Sequence, residues 1–177
     1  GSSDMLKFGK SPHGITSGIG YIPTWDDYKM IRITFHDVSF GADNLAFYIR
    51  YITSTDTEQS GNDYRYSTNY SYDVNSGTTA ITTSNDNDTQ CWLIAGIGYA
   101  TGNCLSGEIY FPNLQGTAKN QHHWGSLSCQ REATYPEQFI SARFSGMLEQ
   151  QIAISNIGFY SNSTDFNAGT FIVMGSK

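Results

Sequence analysis

Charge is scarce in this chain. Asp, Glu, Lys and Arg make up 15% of its 177 residues, and the 10 Lys and Arg are scattered without forming a basic cluster. A protein that tracks a nucleic-acid backbone, or that binds an anionic bilayer surface, needs such clusters, so neither partner is expected. The formal net charge of −6 points the same way. No apolar run approaches a bilayer span and no secretory leader is recognisable, so membrane insertion is not expected either. The Ala, Leu, Glu and Lys that long helices need in bulk are also scarce.

Catalytic and metal signatures are thin as well. There is no Gly-x-Ser-x-Gly elbow, and His36-Asp37 reads as a turn signal without a nucleophile. Glu58, Glu108, Glu132, Glu137 and Glu149 contain the arithmetic of a glycosidase pair. Glu108 is the best candidate for a buried acid, but no spacing supplies its partner. The expectation is a protein that is not an enzyme. The 3 cysteines, Cys91, Cys104 and Cys129, match no zinc motif, and an odd count leaves at least one thiol unpaired. All three are expected to be reduced, as in a protein assembled in a reducing cytoplasm. Asn85-Asp-Asn-Asp88 sets Asp86 and Asp88 two residues apart, a spacing able to offer oxygens to calcium, yet no bidentate Glu closes the loop. A solvated hairpin tip is the plainer reading, and no cofactor is expected.

What the chain does have is 18 Gly, 12 Tyr and 10 Phe among abundant Ser, Thr and Asn, the composition of strands joined by polar turns. Its length suits one domain. Alternation is clear over residues 28–35, where Ile31, Ile33 and Phe35 share a face, and over 45–51, where Leu45, Phe47, Ile49 and Tyr51 do. A loop is expected over 36–44 between them. Residues 53–90 are nearly devoid of aliphatics, but Tyr64, Tyr66, Tyr70 and Tyr72 recur at even spacings, which predicts one or two amphipathic strands with long loops. The apolar run 91–95 predicts a central strand buried on both faces, followed by a Gly-rich turn over 96–103.

Further strands are predicted over 105–111, ended by Pro112-Asn113, over 119–127 and over 139–144. Two more, 151–159 and 169–175, are joined by a turn over 160–167, and the last has two mostly apolar faces, as if packed on both sides. The fold class is all-β: a single antiparallel β-sandwich, jelly-roll-like, of about eight to ten strands. Gly1-Ser2 reads as a tag-cleavage scar, and residues 1–20 as that scar plus a Gly-rich lead-in with a short edge strand around 15–22; the sandwich occupies 21–177.

Several runs carry a resemblance: Ser106-Gly-Glu-Ile-Tyr-Phe-Pro-Asn113, Asp27-Tyr-Lys-Met-Ile-Arg-Ile33 with Leu45-Ala-Phe-Tyr-Ile-Arg50, Asp63-Tyr-Arg-Tyr66, and the closing Gly169-Thr-Phe-Ile-Val-Met-Gly-Ser-Lys177. Together they resemble β-sandwich domains at the tips of bacteriophage tail fibres and related virion spikes, over most of residues 21–177. The resemblance implies a non-enzymatic receptor-binding module, located on a virion or extracellular particle, that attaches to host cell-surface glycan and works as a homotrimer. Tyr48, Ile52, Tyr110 and Met174, opposite the aliphatic core positions, are the expected trimer surface. A carbohydrate-binding module of a secreted polysaccharide-active enzyme, and a purely structural virion capping domain, are the alternatives.

Sugar rings present apolar C–H faces edged with hydroxyls, so their sites combine an aromatic platform with amide, carboxylate or Arg partners. Among the tryptophans, Trp92 reads as core and Trp25 as a plug at the sandwich end. Trp124 lies among Asn120, Gln121, His122, His123 and Gly125 and is the platform candidate. On a strand, His122 and His123 point to opposite faces and cannot chelate one ion together. The expected binding surface is a loop edge with Trp124, His122 or His123, Arg131, Tyr135 and Tyr99; Tyr70 and Tyr72 are second in line.

Overall fold

The computed structural model describes residues 6–9, 28–42, 44–53, 57–74, 77–97, 104–130, 139–162 and 166–177. They form eleven strands: β1 (Leu6–Gly9), β2 (Met30–Phe40), β3 (Leu45–Thr53), β4 (Tyr64–Val74), β5 (Gly77–Asp88), β6 (Cys91–Ile97), β7 (Leu105–Pro112), β8 (Gln121–Gln130), β9 (Phe139–Leu148), β10 (Ile154–Ser161) and β11 (Phe166–Ser176). A four-stranded sheet in the order β1-β10-β3-β6 faces a seven-stranded sheet in the order β11-β2-β7-β8-β9-β4-β5, with every pairing antiparallel. The chain switches sheets repeatedly, which gives the β-sandwich its jelly-roll-like course. The expected fold class is therefore observed, with one strand more than the upper count. The lead-in strand expected around 15–22 lies outside the described residues.

Period-two patterning dictates the core. Ile31, Ile33 and Phe35 of β2, Phe47, Ile49 and Tyr51 of β3, and Leu105, Ile109 and Phe111 of β7 all turn inward and are buried. One end of the core is built of phenylalanines. Phe8, Phe35, Phe40, Phe47, Phe159, Phe166 and Phe171 contact one another at centroid distances of 5.1–6.1 Å, across the two sheets. Each fully buried ring contributes about 1.5–3 kcal/mol. The other end is more polar: Tyr51, Tyr64, Phe111, His123 and Phe144 pack there.

Several expectations are corrected. β2 runs on to Phe40 where a loop was expected, because a bulge at His36-Asp37, with Asp37 at φ 53°, resets the alternation so that Val38 and Phe40 also point inward. β4 and β5 are two strands, as expected, but at eleven and twelve residues they pair along their length as one long hairpin in place of strands with long loops. The run beginning at Cys91 is an edge strand of the small sheet, not a central one. Trp92 on its outer side is half-buried, against Tyr48 and Tyr66.

β10 and β11 do not pair. β10 lies between β1 and β3, whereas β11 crosses over to the edge of the large sheet beside β2, and Phe159 meets Phe171 through the core at 5.6 Å. As an edge, β11 packs Phe171 and Val173 inward and leaves Ile172 and Met174 exposed; it is not packed on both sides. Of the expected trimer residues, Tyr48 and Ile52 are buried, Tyr48 in an apolar cluster with Ala46 and Tyr160 on the outer face of the small sheet.

Candidate functional site

Antiparallel register puts directly opposed residues on one face, so the outer face of the large sheet can be followed strand by strand. One row crosses all seven strands: Met174, Arg32, Tyr110, Trp124, Ser145, Ser67 and Ser84. Its first half is bulky and its second half small. The Trp124 ring stacks on Tyr110 (5.8 Å, 10°) and on His122, two residues away on the same face of β8 (6.0 Å, 26°). Beyond this aromatic ridge the serines leave the sheet surface low. The result is a groove of about 760 Å³, walled by Trp124 and His122, floored by Ser145, Ser67 and Ser84, and bordered by Arg65 and Asp86.

Trp124 is 39% exposed, among the few large apolar side chains of the described residues left open to solvent. It stands in the middle of β8 and not on a loop edge. A mid-strand tryptophan is usually spent on packing; this one escapes because its row faces outward.

The electrostatics divide by side. Arg65 Nε holds Glu149 Oε1 at 2.8 Å beside the groove. On the other flank of Trp124, Arg32 Nη2 holds Glu108 Oε2 at 2.6 Å, the Tyr110 hydroxyl donates to the same oxygen at 3.0 Å, and the Arg32 guanidinium lies over the Tyr110 ring at 5.6 Å. Glu108 is thus a half-exposed, ion-paired carboxylate on the outer face, not a buried acid. The hydrogen bond to Glu108 raises the Tyr110 pKa, so its hydroxyl stays protonated and fixed.

His123 points the other way, as strand alternation requires, and is buried. Its Nδ1 shares a hydrogen bond of 2.9 Å with the Tyr51 hydroxyl, while Nε2 has no partner among the described residues. Burial, reinforced by the charge of His122, lowers its pKa to about 3, so the ring is neutral near pH 7. His123 is a buried core residue that also lines the groove, together with Gly146 opposite it on β9. Arg131, Tyr135 and Tyr99 lie outside the described residues, as does Trp25. Tyr70 and Tyr72 pack half-buried against the core, stacked on each other at 6.4 Å, so they are inward-facing fillers and not an open platform.

The two aspartates do not act together. Asp86 borders the groove, whereas Asp88 accepts from Tyr66 Oη, Asn85 Nδ2 and the Thr89 amide at 3.3, 3.1 and 2.6 Å. Among the described residues no group of three His, Cys, Asp or Glu converges as metal ligands would. The three thiols are free, Cys91 and Cys129 buried and Cys104 half-buried. Burial raises the pKa of both buried thiols, that of Cys129 to about 12. Sequence reasoning missed Ser67, Ser84, Ser145 and Arg65. Single serines in polar strands carry no signal; the even spacing of the tyrosines fixed only the face of β4 that Ser67 and Arg65 would occupy.

No family model, no curated protein and no solved structure matches this chain.

Proposed function

We propose that this domain is a non-catalytic attachment module that holds surface carbohydrate in the groove beside Trp124, and that it serves as the receptor-binding tip of a virion-type particle. One observation carries the binding half of this proposal: an exposed tryptophan forms the wall of a groove whose floor is serine and whose borders are Arg65, His122 and Asp86. That combination suits a sugar, an apolar ring face against the indole and hydroxyls against short polar side chains. The attachment half rests on the strand patterns that resemble fibre-tip domains. Presentation in several copies belongs to the same proposal, since weak single-site affinity for glycans is raised by multivalency. Ile172 and Met174, exposed on the edge strand β11 three strands from Trp124, are side chains suited to it.

The test is binding to a printed array of bacterial and animal surface oligosaccharides, followed by titration calorimetry on the members retained. Losing a stacking platform costs on the order of 1–3 kcal/mol, by analogy with bases stacked on aromatic side chains. Trp124→Ala should therefore weaken binding about tenfold or more. A wild-type domain that retains no member, or a variant that binds as well as wild type, overturns the proposal. A silent array would favour the alternative of a purely structural capping domain. Light scattering that returns a monomer at tens of micromolar would count against multivalent presentation.

A further inference from the structure

The outer face continues past the groove. The next row is Arg143 of β9, Asn69 of β4 and Thr82 of β5. Beyond it Ser141, Ser71 and Ala80 floor a second hollow of about 250 Å³, which Arg143 also lines. Within the intervening row Thr82 Oγ1 donates to Asn69 Oδ1 at 2.6 Å, so those two are partnered with each other. Arg143 is left over. Arg32, Arg50 and Arg65 each hold a glutamate, whereas the exposed Arg143 side chain has no ion-pair or hydrogen-bond partner among the described residues.

Position makes this free guanidinium informative. Arg143 is two residues along β9 from Ser145, the partner of Trp124, so the Cα atoms of Trp124 and Arg143 are separated by one strand and two residues, roughly 8 Å. A planar fork of five donors is best matched by a carboxylate taken through two parallel hydrogen bonds. The other border of the groove is Asp86, which repels an acid but accepts sugar hydroxyls.

We infer that the carbohydrate held here is acidic: one ring stacks on Trp124, and a carboxylate on that ring or the next one is clamped by Arg143, with the hydroxyl-rich end toward Asp86. This inference rests on the carbohydrate-binding proposal and adds the ligand's charge and direction. In a chain of net charge −6, an acid is the ligand that would be rejected without a dedicated cation, so the clamp acts as a selector as well as a contact.

The experiment uses an array that pairs uronic-acid- and nonulosonic-acid-bearing oligosaccharides with their carboxyl-reduced counterparts of identical skeleton. Wild-type protein should bind the acidic member of at least one pair about tenfold more tightly than its reduced twin. Arg143→Gln should erase that difference while still binding the reduced twin, and Trp124→Ala should weaken both members. Equal binding of acidic and reduced members, still dependent on Trp124, overturns the acid inference and leaves the carbohydrate proposal standing. Equal loss of both members in Arg143→Gln likewise overturns it, since that residue would then be a general contact. No binding to any member overturns both. Because Arg143 is exposed, thermal unfolding of the Gln variant should match wild type, which separates a lost contact from a lost fold.

Discussion

Trp124 on β8 lies directly opposite Ser145 on β9, the bulkiest kind of side chain facing one of the smallest across a cross-strand pair. Filled pairs make a flat sheet surface; this mismatched pair makes a step. Ser67 and Ser84, continuing the row, extend the low side of the step into a groove.

Filling that low side should abolish binding without harming the fold. Ser67 sits between Ser145 and Ser84, so Ser67→Trp places an indole in the middle of the floor. Glycan binding should disappear, while the midpoint of a circular-dichroism melt should move little, since surface substitutions usually stay within about ±0.5 kcal/mol. Retained binding would place the ligand elsewhere.

Gly146 should not tolerate a methyl group. A Cβ there would lie 2.7 Å from His123 Cε1 and 2.8 Å from Cys91 Sγ, both buried and unable to retreat. Gly146→Ala is expected to lower stability by about 1–3 kcal/mol, as overpacking does, with the loss read from the urea midpoint. An unchanged midpoint would show that β6 and β9 are packed less closely than described.

Acid should destabilise the domain through His123. Its folded pKa is lowered to about 3 by burial and by His122, while the unfolded value is near 6.5. The unfolded chain therefore takes up a proton in that window that the folded chain refuses. This contribution is complete above about pH 6.5 and declines by about 1.4 kcal/mol per pH unit as pH falls toward 3. Urea titrations from pH 7 to 4 should show the slope, and His123→Phe should flatten it. That variant starts lower at pH 7, by about 1–3 kcal/mol, because the Tyr51 hydroxyl loses its partner.

Thiol chemistry should follow burial. Under non-reducing alkylation, unfolded protein should gain a label at each of Cys91, Cys104 and Cys129. In the folded state Cys104 should react first, because the other two are buried and their thiolates suppressed. An intact mass showing a single label after unfolding would establish a disulfide and refute this arrangement.

The sequence alone determined the all-β class and the inward faces of β2, β3 and β7, because alternation at Ile31, Ile33 and Phe35 or at Leu105, Ile109 and Phe111 is a local property of an extended backbone. The same rule separated His122 from His123 before any neighbour was known. Which strands lie side by side is a long-range matter, and there the sequence was silent or misleading. The apolar faces of residues 91–95 and 169–175 read as doubly packed strands, yet both belong to edges, since apolarity records what a strand can bury and not how many neighbours it has. The site illustrates this most plainly. Trp124 announced itself, but its setting came from Ser67, Ser84, Ser145 and Arg143, residues unremarkable in their own segments. Only the pairing of β8 with β9, β9 with β4 and β4 with β5 set them in one row or its neighbour, because register joins residues that the chain itself keeps far apart.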